Sequence, residues 1–225
     1  MPAPSRRLGP LRLIAAILTI GLLAIGAAPV QGASGYSRDL YFAAGSERQV
    51  DNRTCTMAST AMMMNFIARR DLKLDQLILL RWAQPRDALN DATQRGSDPL
   101  GWSRAATTFS VLTGRATTYR WEAFGSAMSA LRRSAKQIAI TGKPVGMLVQ
   151  NGRHAIVMTG FTATANPATA ASWTLETIWY SDPYGYAHRS VAAGSTPLNR
   201  YLETDATPHY DALWYRKFIV IVPQN

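Results

Sequence analysis

Two short apolar runs separated by Asn151-Gly152 constrain the fold of this 225-residue chain more than any other feature. The runs cover residues 144–150 (PVGMLVQ) and 155–161 (AIVMTGF). An Asn-Gly pair between two such runs is typical of a tight β-hairpin, because both residues tolerate the left-handed backbone that the turn requires. The sequence therefore predicts an antiparallel sheet in the C-terminal half of the chain.

Helical patterns precede this hairpin, and further strands follow it. Apolar spacing and polar capping residues predict helices over 55–70, 74–83, from Asp98-Pro99 to about residue 112, and over 122–140. Alternating apolar and aromatic residues predict two more strands over 173–181 and 214–222. Helices followed by antiparallel strands indicate the α+β class. Since no linker separates the two parts, we expect them to share one core.

The first 32 residues predict export. Arg6, Arg7 and Arg12 precede a continuous apolar run over 13–28, and small residues follow up to Gly32, which is the composition of a signal peptide. We expect cleavage near Gly32. The alternative is a retained N-terminal membrane anchor, although the run is shorter than the roughly 20 residues that span a bilayer. Residues 33–48 then lead into a folded domain over 49–225, which is secreted or otherwise extracytoplasmic.

The chain is strongly basic. It has 24 Lys and Arg residues against 14 Asp and Glu residues, a net charge of +10, which falls to +7 when residues 1–32 are removed. Such a surplus favours anionic surroundings, for example a cell-wall polymer or a membrane surface. Nucleic acid is not an expected partner, because the sequence contains no recognised nucleic-acid module and no clustered basic helix.

Cys55 is the only cysteine, which excludes an intramolecular disulfide and a four-cysteine zinc site. Exported proteins normally pair their cysteines, so a lone one is a buried apolar side chain, an intermolecular link or a working thiol. Cys55 begins a predicted helix, for which Asn52 or Thr54 is the candidate cap. This position favours the working thiol, because the dipole and free amides of a first helical turn stabilise a thiolate.

A thiolate nucleophile needs an imidazole partner, which a carboxylate or amide usually orients. Of the three histidines, His154 stands at a strand end directly after the tight turn. His188 and His209 lie in polar, turn-rich stretches that are typical of the surface. Asp182 ends the next predicted strand, and neighbouring antiparallel strands can bring it to the same sheet end as His154.

Gln49 lies six residues before Cys55 and is the candidate donor to an oxyanion, together with the Cys55 backbone N–H. Each of these residues also has a purely structural interpretation. Cys55 is then an inert buried thiol, His154 is a hydrogen-bonded core histidine, and Asp182 starts an Asp-Pro turn.

The order of these motifs resembles the C39-like branch of papain-fold cysteine peptidases. The matching segments are Gln49-x5-Cys55-x2-Ala58-Ser59, then Gly152-x-His154 and its apolar strand, then Ser181-Asp182-Pro183 with Gly185. The resemblance implies a papain-like fold of helices packed on an antiparallel sheet. It also implies Cys55 as nucleophile, His154 as general base and acid, Asp182 as the residue that orients the imidazole ring, and Gln49 as oxyanion donor.

The sequence thus predicts an exported cysteine peptidase or amide hydrolase that needs no metal or organic cofactor. Its substrate is a peptide or another amide. Two alternatives stay open. One is a catalytically inactive secreted binding module on the same fold, and the other is a thiol-dependent acyltransferase. The shape of the cleft, rather than the catalytic residues, chooses between water and another acyl acceptor.

Overall fold

A computed structural model describes residues 35–89, 96–185, 187–195 and 214–224. The predicted signal segment 1–32 and His209 lie outside these ranges. The elements in chain order are β1 (Tyr36–Asp39), α1 (Cys55–Ala68), α2 (Gln76–Ala83), α3 (Pro99–Phe109), β2 (Tyr119–Phe124), α4 (Ala127–Thr141), β3 (Val145–Val149), β4 (His154–Ala163), β5 (Leu175–Asp182), β6 (Ala187–Ala192) and β7 (Phe218–Pro223). In the described part of the chain, no helix is long and apolar enough to cross a membrane.

The predicted hairpin is present and lies in the middle of the sheet. Asn151 and Gly152 adopt left-handed backbone angles, with φ of 56° and 76°, and connect β3 to β4. The described strands form one antiparallel sheet in the order β2-β7-β3-β4-β5-β6, and β1 pairs with the far half of β4. The mixture of helices and an antiparallel sheet confirms the α+β prediction.

Helices and strands pack together as expected, but they do so in two hydrophobic cores, one on each face of the sheet. Strand β3 is buried on both faces, because successive side chains of a strand point to opposite sides of the sheet. Helices α1, α2 and α3 cover one face and α4 covers the other. Val157 of β4 belongs to the first core, whereas its neighbours Ile156 and Met158 belong to the second.

Helix α1 is buried almost all round, whereas its sequence pattern predicts a single apolar face. Every residue from Thr56 to Ile67 is buried. Met62, Met63 and Met64 are at most 1% exposed and lie in the core. Asn65 is the polar exception, and its amide nitrogen donates to Gly45 O and to Glu47 Oε1, both at 3.2 Å. Helix α1 therefore forms the centre of the first core.

Three strands, β1, β2 and β6, lie where the sequence predicts none. The predicted helix over 122–140 begins only at Ala127, and Glu122 and Phe124 belong to strand β2. Residues of β2 pair with β7, about one hundred positions later, and the helix starts afresh after Ser126, whose side chain accepts from Ser129 N. Strand β1 lies inside the segment 33–48, which the sequence predicts only as a polar lead-in.

The ends of α2 and α3 follow their local signals. Asp75 caps α2 by accepting hydrogen bonds from two first-turn amides, and Asp98 caps α3 in the same way. Helix α3 ends at Phe109, three residues before the predicted end, and a 3-10 turn continues to Thr113. Gly114 then takes the left-handed conformation that ends the segment, with φ of 73°.

Candidate active site

Cys55 is the first residue of α1 and is partly exposed. Thr54 is the N-cap, but its side chain makes no capping hydrogen bond, and Asn52 is not the cap. The Thr54 hydroxyl instead donates to Asp51 O at 3.2 Å. Side chains do cap α2, α3 and α4. The thiol of Cys55 therefore lies at a helix start whose first-turn amides no capping side chain occupies.

His154 is the first residue of β4 and is 7% exposed. Its Nε2 lies 2.8 Å from Asp182 Oδ1. The register explains this contact, because Val157 pairs with Ser181, and continuing the antiparallel pairing sets Asp182 opposite Ile156. Ile156 and His154 share one face of β4 by strand alternation, so the histidine and the aspartate are diagonal neighbours across the two strands.

The same imidazole also interacts with the Cys55 side chain. A hydrogen bond connects their two elements, because Ser59 Oγ of α1 donates to Ala155 O of β4 at 3.3 Å. Burial lowers the pKa of His154, but the hydrogen bond to Asp182 and the interaction with Cys55 outweigh it and raise the pKa to about 9. The imidazole is therefore charged at neutral pH, between a carboxylate and a thiol.

Gln49 connects the loop before α1 to the loop after β5. Its backbone N–H donates to Pro183 O at 2.9 Å, and its Nε2 donates to Asp51 O at 2.9 Å. An amide nitrogen carries two hydrogens, so one stays available to a further acceptor. Oε1 of Gln49 is buried and accepts no hydrogen bond from the described residues. Such an orphan acceptor is costly and is typical of functional sites.

Gln76, which sequence reasoning missed, holds the backbone on both sides of Gln49. Its Oε1 accepts from Val50 N at 3.0 Å, and its Nε2 donates to Arg48 O at 2.8 Å. It is the first residue of α2 and only 4% exposed. The sequence shows only that Gln76 follows the capping residue Asp75 at a helix start. Nothing in the sequence indicates which loop its side chain binds.

Tyr184 is the second residue that sequence reasoning missed. Its backbone N–H donates to Asp182 Oδ1 at 2.8 Å, so this oxygen accepts from both Tyr184 and His154. Its ring packs edge-on against the imidazole, with 6.3 Å between centroids and 85° between planes. The side chain is 72% exposed and forms one wall beside the histidine. The sequence feature that could have identified Tyr184 was its position directly after Asp182-Pro183.

His188 is not the surface residue that the sequence predicts. It lies in β6, is half-buried, and stacks on Tyr41 with 3.8 Å between ring centroids. Its Nε2 lies 3.2 Å from Thr159 Oγ1 and 3.4 Å from Asp39 Oδ2. Desolvation by burial lowers its pKa, against the attraction of Asp39. No contact joins His188 to Cys55 among the described residues.

The four predicted site residues thus lie on three neighbouring segments. Their chemistry is that of a thiol, an imidazole, a carboxylate and an amide donor, which together can transfer an acyl group. Within the described ranges, no three His, Cys, Asp or Glu side chains cluster as a metal site would require. The individual catalytic roles of these residues stay predictions.

The comparisons with known proteins agree with this chemistry. The family model described as "Peptidase_C39 like family" matches residues 45–207. The matched range contains Gln49, Cys55, His154 and Asp182 and covers more than half of the chain. No curated protein matches the sequence.

Proposed function

The chain belongs to the Peptidase_C39 like family, and on that premise we propose that it is a cysteine peptidase with Cys55 as its nucleophile. One observation carries the proposal: the His154 imidazole interacts with the Cys55 side chain while its Nε2 lies 2.8 Å from Asp182 Oδ1. Packing of α1 against β4, with the thiol at the helix start and the histidine at the strand start, supports a papain-like arrangement.

The first step is attack on the scissile carbonyl. Asp182 occupies Nε2 of His154, which leaves Nδ1 to exchange a proton with Cys55. In our proposal the proton is on His154 when the sulfur attacks, consistent with the raised pKa of that imidazole. The sulfur forms a bond to the carbonyl carbon, and the carbonyl electron pair moves onto the oxygen.

The developing oxyanion needs donors that are already in position. The backbone N–H of Cys55 and the remaining Nε2 hydrogen of Gln49 supply them in our proposal. Gln76 fixes the loop on both sides of Gln49, so that little reorganisation is needed during the reaction.

The tetrahedral intermediate then collapses. The carbon–nitrogen bond breaks, the imidazolium of His154 gives its proton to the leaving amine, and a thioester to Cys55 remains. The neutral imidazole next takes a proton from water, whose oxygen attacks the thioester. Collapse of this second intermediate breaks the carbon–sulfur bond and releases the carboxylic acid and the Cys55 sulfur, while the proton taken from water stays on His154. Asp182 holds the ring in one orientation throughout.

We also propose that the folded domain acts outside the cytoplasm after cleavage near Gly32. The support is the basic start and apolar run of residues 1–32. The test is the intact mass of the protein recovered from the extracytoplasmic fraction of an expressing bacterium. A mass that still includes residues 1–32 favours the membrane anchor, and recovery only from the cytoplasm contradicts export.

The central test compares the wild-type protein with Cys55→Ala. Because the chain has a single cysteine, a fluorescent iodoacetamide reports on Cys55 alone. We expect labelling at neutral pH to be faster than labelling of free cysteine, and we expect hydrolysis of a fluorogenic peptide library. Cys55→Ala should lose both while keeping the wild-type circular dichroism spectrum. Ser37→Ala, at an exposed position of β1, is the control and should keep both.

Other outcomes separate the alternatives. Labelling no faster than that of free cysteine contradicts the activated thiol and favours an inactive binding module. Fast labelling without hydrolysis, together with transfer of peptide acyl groups to an added amine, identifies an acyltransferase instead.

A further inference from the structure

Strand β2 is one edge of the sheet, and only part of its outer backbone is hydrogen-bonded. Tyr119 N donates to Thr107 Oγ1 at 2.8 Å, and the same hydroxyl donates to Tyr119 O at 3.1 Å. On the side of β2 that faces β7, Thr118 O accepts from Gln224 N at 2.8 Å. Backbone direction alternates along an antiparallel strand, so the N–H and C=O groups of Trp121 and Ala123 point outward like those of Tyr119.

These outward groups have no partner in the part of the chain that the structure describes. Unpaired edge groups are a template for another strand, and proteins normally cover or protect them. Thr107 covers the edge at Tyr119 but leaves the positions of Trp121 and Ala123 open.

A cleft with a volume of about 760 Å³ runs beside this edge, between β2, the end of α2 and the outer side of α3. Its walls include the indole rings of Trp82 and Trp121 and the arginines Arg86 and Arg104. Arg120 also lines it as part of β2, but its side chain points to the α4 face, because it alternates with Trp121. No Asp or Glu is among the described residues that line it.

The three arginines of this cleft are not neutralised. Arg86 stacks over Trp82 at 3.9 Å and donates to Trp82 O, while Arg104 donates to Arg86 O at 2.8 Å. These contacts use one Nη1 of each guanidinium, which has five N–H donors in total. Arg120 is exposed. None of the three forms an ion pair with a described residue, whereas nearby Glu122 is bound by Arg133 at 2.7 Å.

We propose that this cleft binds an extended acidic peptide segment, which adds to β2 as one more strand. The open N–H and C=O groups of Trp121 and Ala123 pair with its main chain, and its carboxylates face Arg86 and Arg104. A second copy of this chain fits less well, because pairing two β2 edges would bring two sets of these arginines together.

The cleft is separate from the thiol site. Strands β7 and β3 lie between β2 and β4, so the edge is about 14 Å from the strand of His154 at the usual strand spacing of roughly 4.8 Å. The cleft is therefore a docking site for an acidic segment of a substrate or partner protein, and its occupancy does not depend on Cys55.

The test measures fluorescence anisotropy on the full chain, both wild-type and Cys55→Ala. The probe is a fluorescein-labelled, end-blocked decapeptide of alternating valine and glutamate. We expect saturable binding, equal in the two proteins. Binding should weaken at least about tenfold when lysine replaces glutamate, because repulsion then replaces attraction. A similar loss is expected when the backbone amides of the peptide are methylated, because methylation removes the donors that pair with the edge.

Arg104→Glu should weaken binding at least about tenfold, since it places a carboxylate against the peptide carboxylates. Arg189→Glu is the matched control. It makes the same charge change on exposed β6, at the opposite edge of the sheet, and should change affinity less than about twofold.

Four results would overturn the proposal. They are equal binding of the methylated peptide, equal losses in the two charge-reversal variants, equal competition by polygalacturonate, and no binding of the glutamate peptide. Polygalacturonate competition would identify a general polyanion site. In sedimentation, a dimer that Arg104→Glu abolishes would be a fifth result against the proposal, because a second copy would then occupy the edge.

Discussion

Replacing Asp182 by Asn tests the electrostatic basis of the site most directly. The amide keeps the size of the carboxylate and an oxygen that can accept from Tyr184 N, which lies 2.8 Å from Asp182 Oδ1. It removes only the negative charge beside His154. The side chains of His154 and Asp182 are 9% and 17% exposed, so solvent screens their interaction little.

The expected size of the effect follows from this contact. A hydrogen bond between charged groups contributes about 1.5–3 kcal/mol, and a neutral one about 0.5–1.5 kcal/mol. Losing the difference, about 1–1.5 kcal/mol, corresponds to roughly one pH unit. Asp182→Asn should therefore lower the pKa of His154 from about 9 to roughly 8.

The assay compares two alkylating reagents on the only cysteine of the chain. Iodoacetate is an anion and is attracted by the imidazolium of His154, whereas iodoacetamide is neutral. The ratio of their rates should fall as pH rises through the pKa of His154. We expect a midpoint near pH 9 in the wild-type protein and near pH 8 in Asp182→Asn.

Asp39→Asn is the control, because it alters the other contact between a histidine and a carboxylate, 3.4 Å long, at His188. It should leave the midpoint unchanged. Equal midpoints in wild-type and Asp182→Asn proteins would refute the reasoning, because the carboxylate would then not stabilise the imidazolium. An equal change in Asp39→Asn would refute it too, since a general field effect would explain both.

Three further predictions address the oxyanion donor, a buried acid and the core. Gln49→Ala should lower kcat/KM on a cleaved peptide by about 10²–10³-fold and leave the alkylation rate of Cys55 unchanged. An alkylation rate that falls as much as kcat/KM would mean that the site is disordered. Burial raises the pKa of Asp87 from 3.8 to about 8. The folded state therefore holds a proton that the unfolded state releases, and the free energy of unfolding should fall as pH rises between these values. Asp87→Asn should flatten this dependence in thermal unfolding at pH 5 and pH 8, and an unchanged slope would contradict it. A Cβ on Gly146 would lie 2.4 Å from Trp102 Cζ2. Gly146→Ala should therefore lower the free energy of unfolding, measured in urea, by about 1–3 kcal/mol. An unchanged free energy would show that Trp102 can move.

Local signals account for the parts of the fold that the sequence predicts. The Asn151-Gly152 turn, the caps Asp75 and Asp98, and the strand after His154 each depend on residues within a few positions of one another. Strands β1 and β2 were missed because their stability comes from distant pairing. Tyr119 pairs with Pro223, and Tyr36 pairs with Ala163. No property of a short, half-polar segment indicates such a partner.

The residues of the candidate site also divide into those that local sequence identifies and those that depend on tertiary contacts. Residue type, order and helix position single out Cys55 and Gln49 from the sequence. Gln76 and Tyr184 were missed because their contacts depend on how α2 and the loop after β5 lie against the loop of Gln49. The histidine at β6 was misplaced on the surface because its burial comes from contacts with β1 and β4.

The sequence by itself determined which chemical groups are available: one thiol at a helix start, three histidines and a strand that ends in Asp182. Cys55 and His154 are ninety-nine residues apart along the chain. Only the tertiary structure decided which imidazole meets the thiol and which carboxylate holds that imidazole. The physical reason is strand register, because side chains alternate between faces. A slip of one residue between β4 and β5 would turn Asp182 to the face opposite His154.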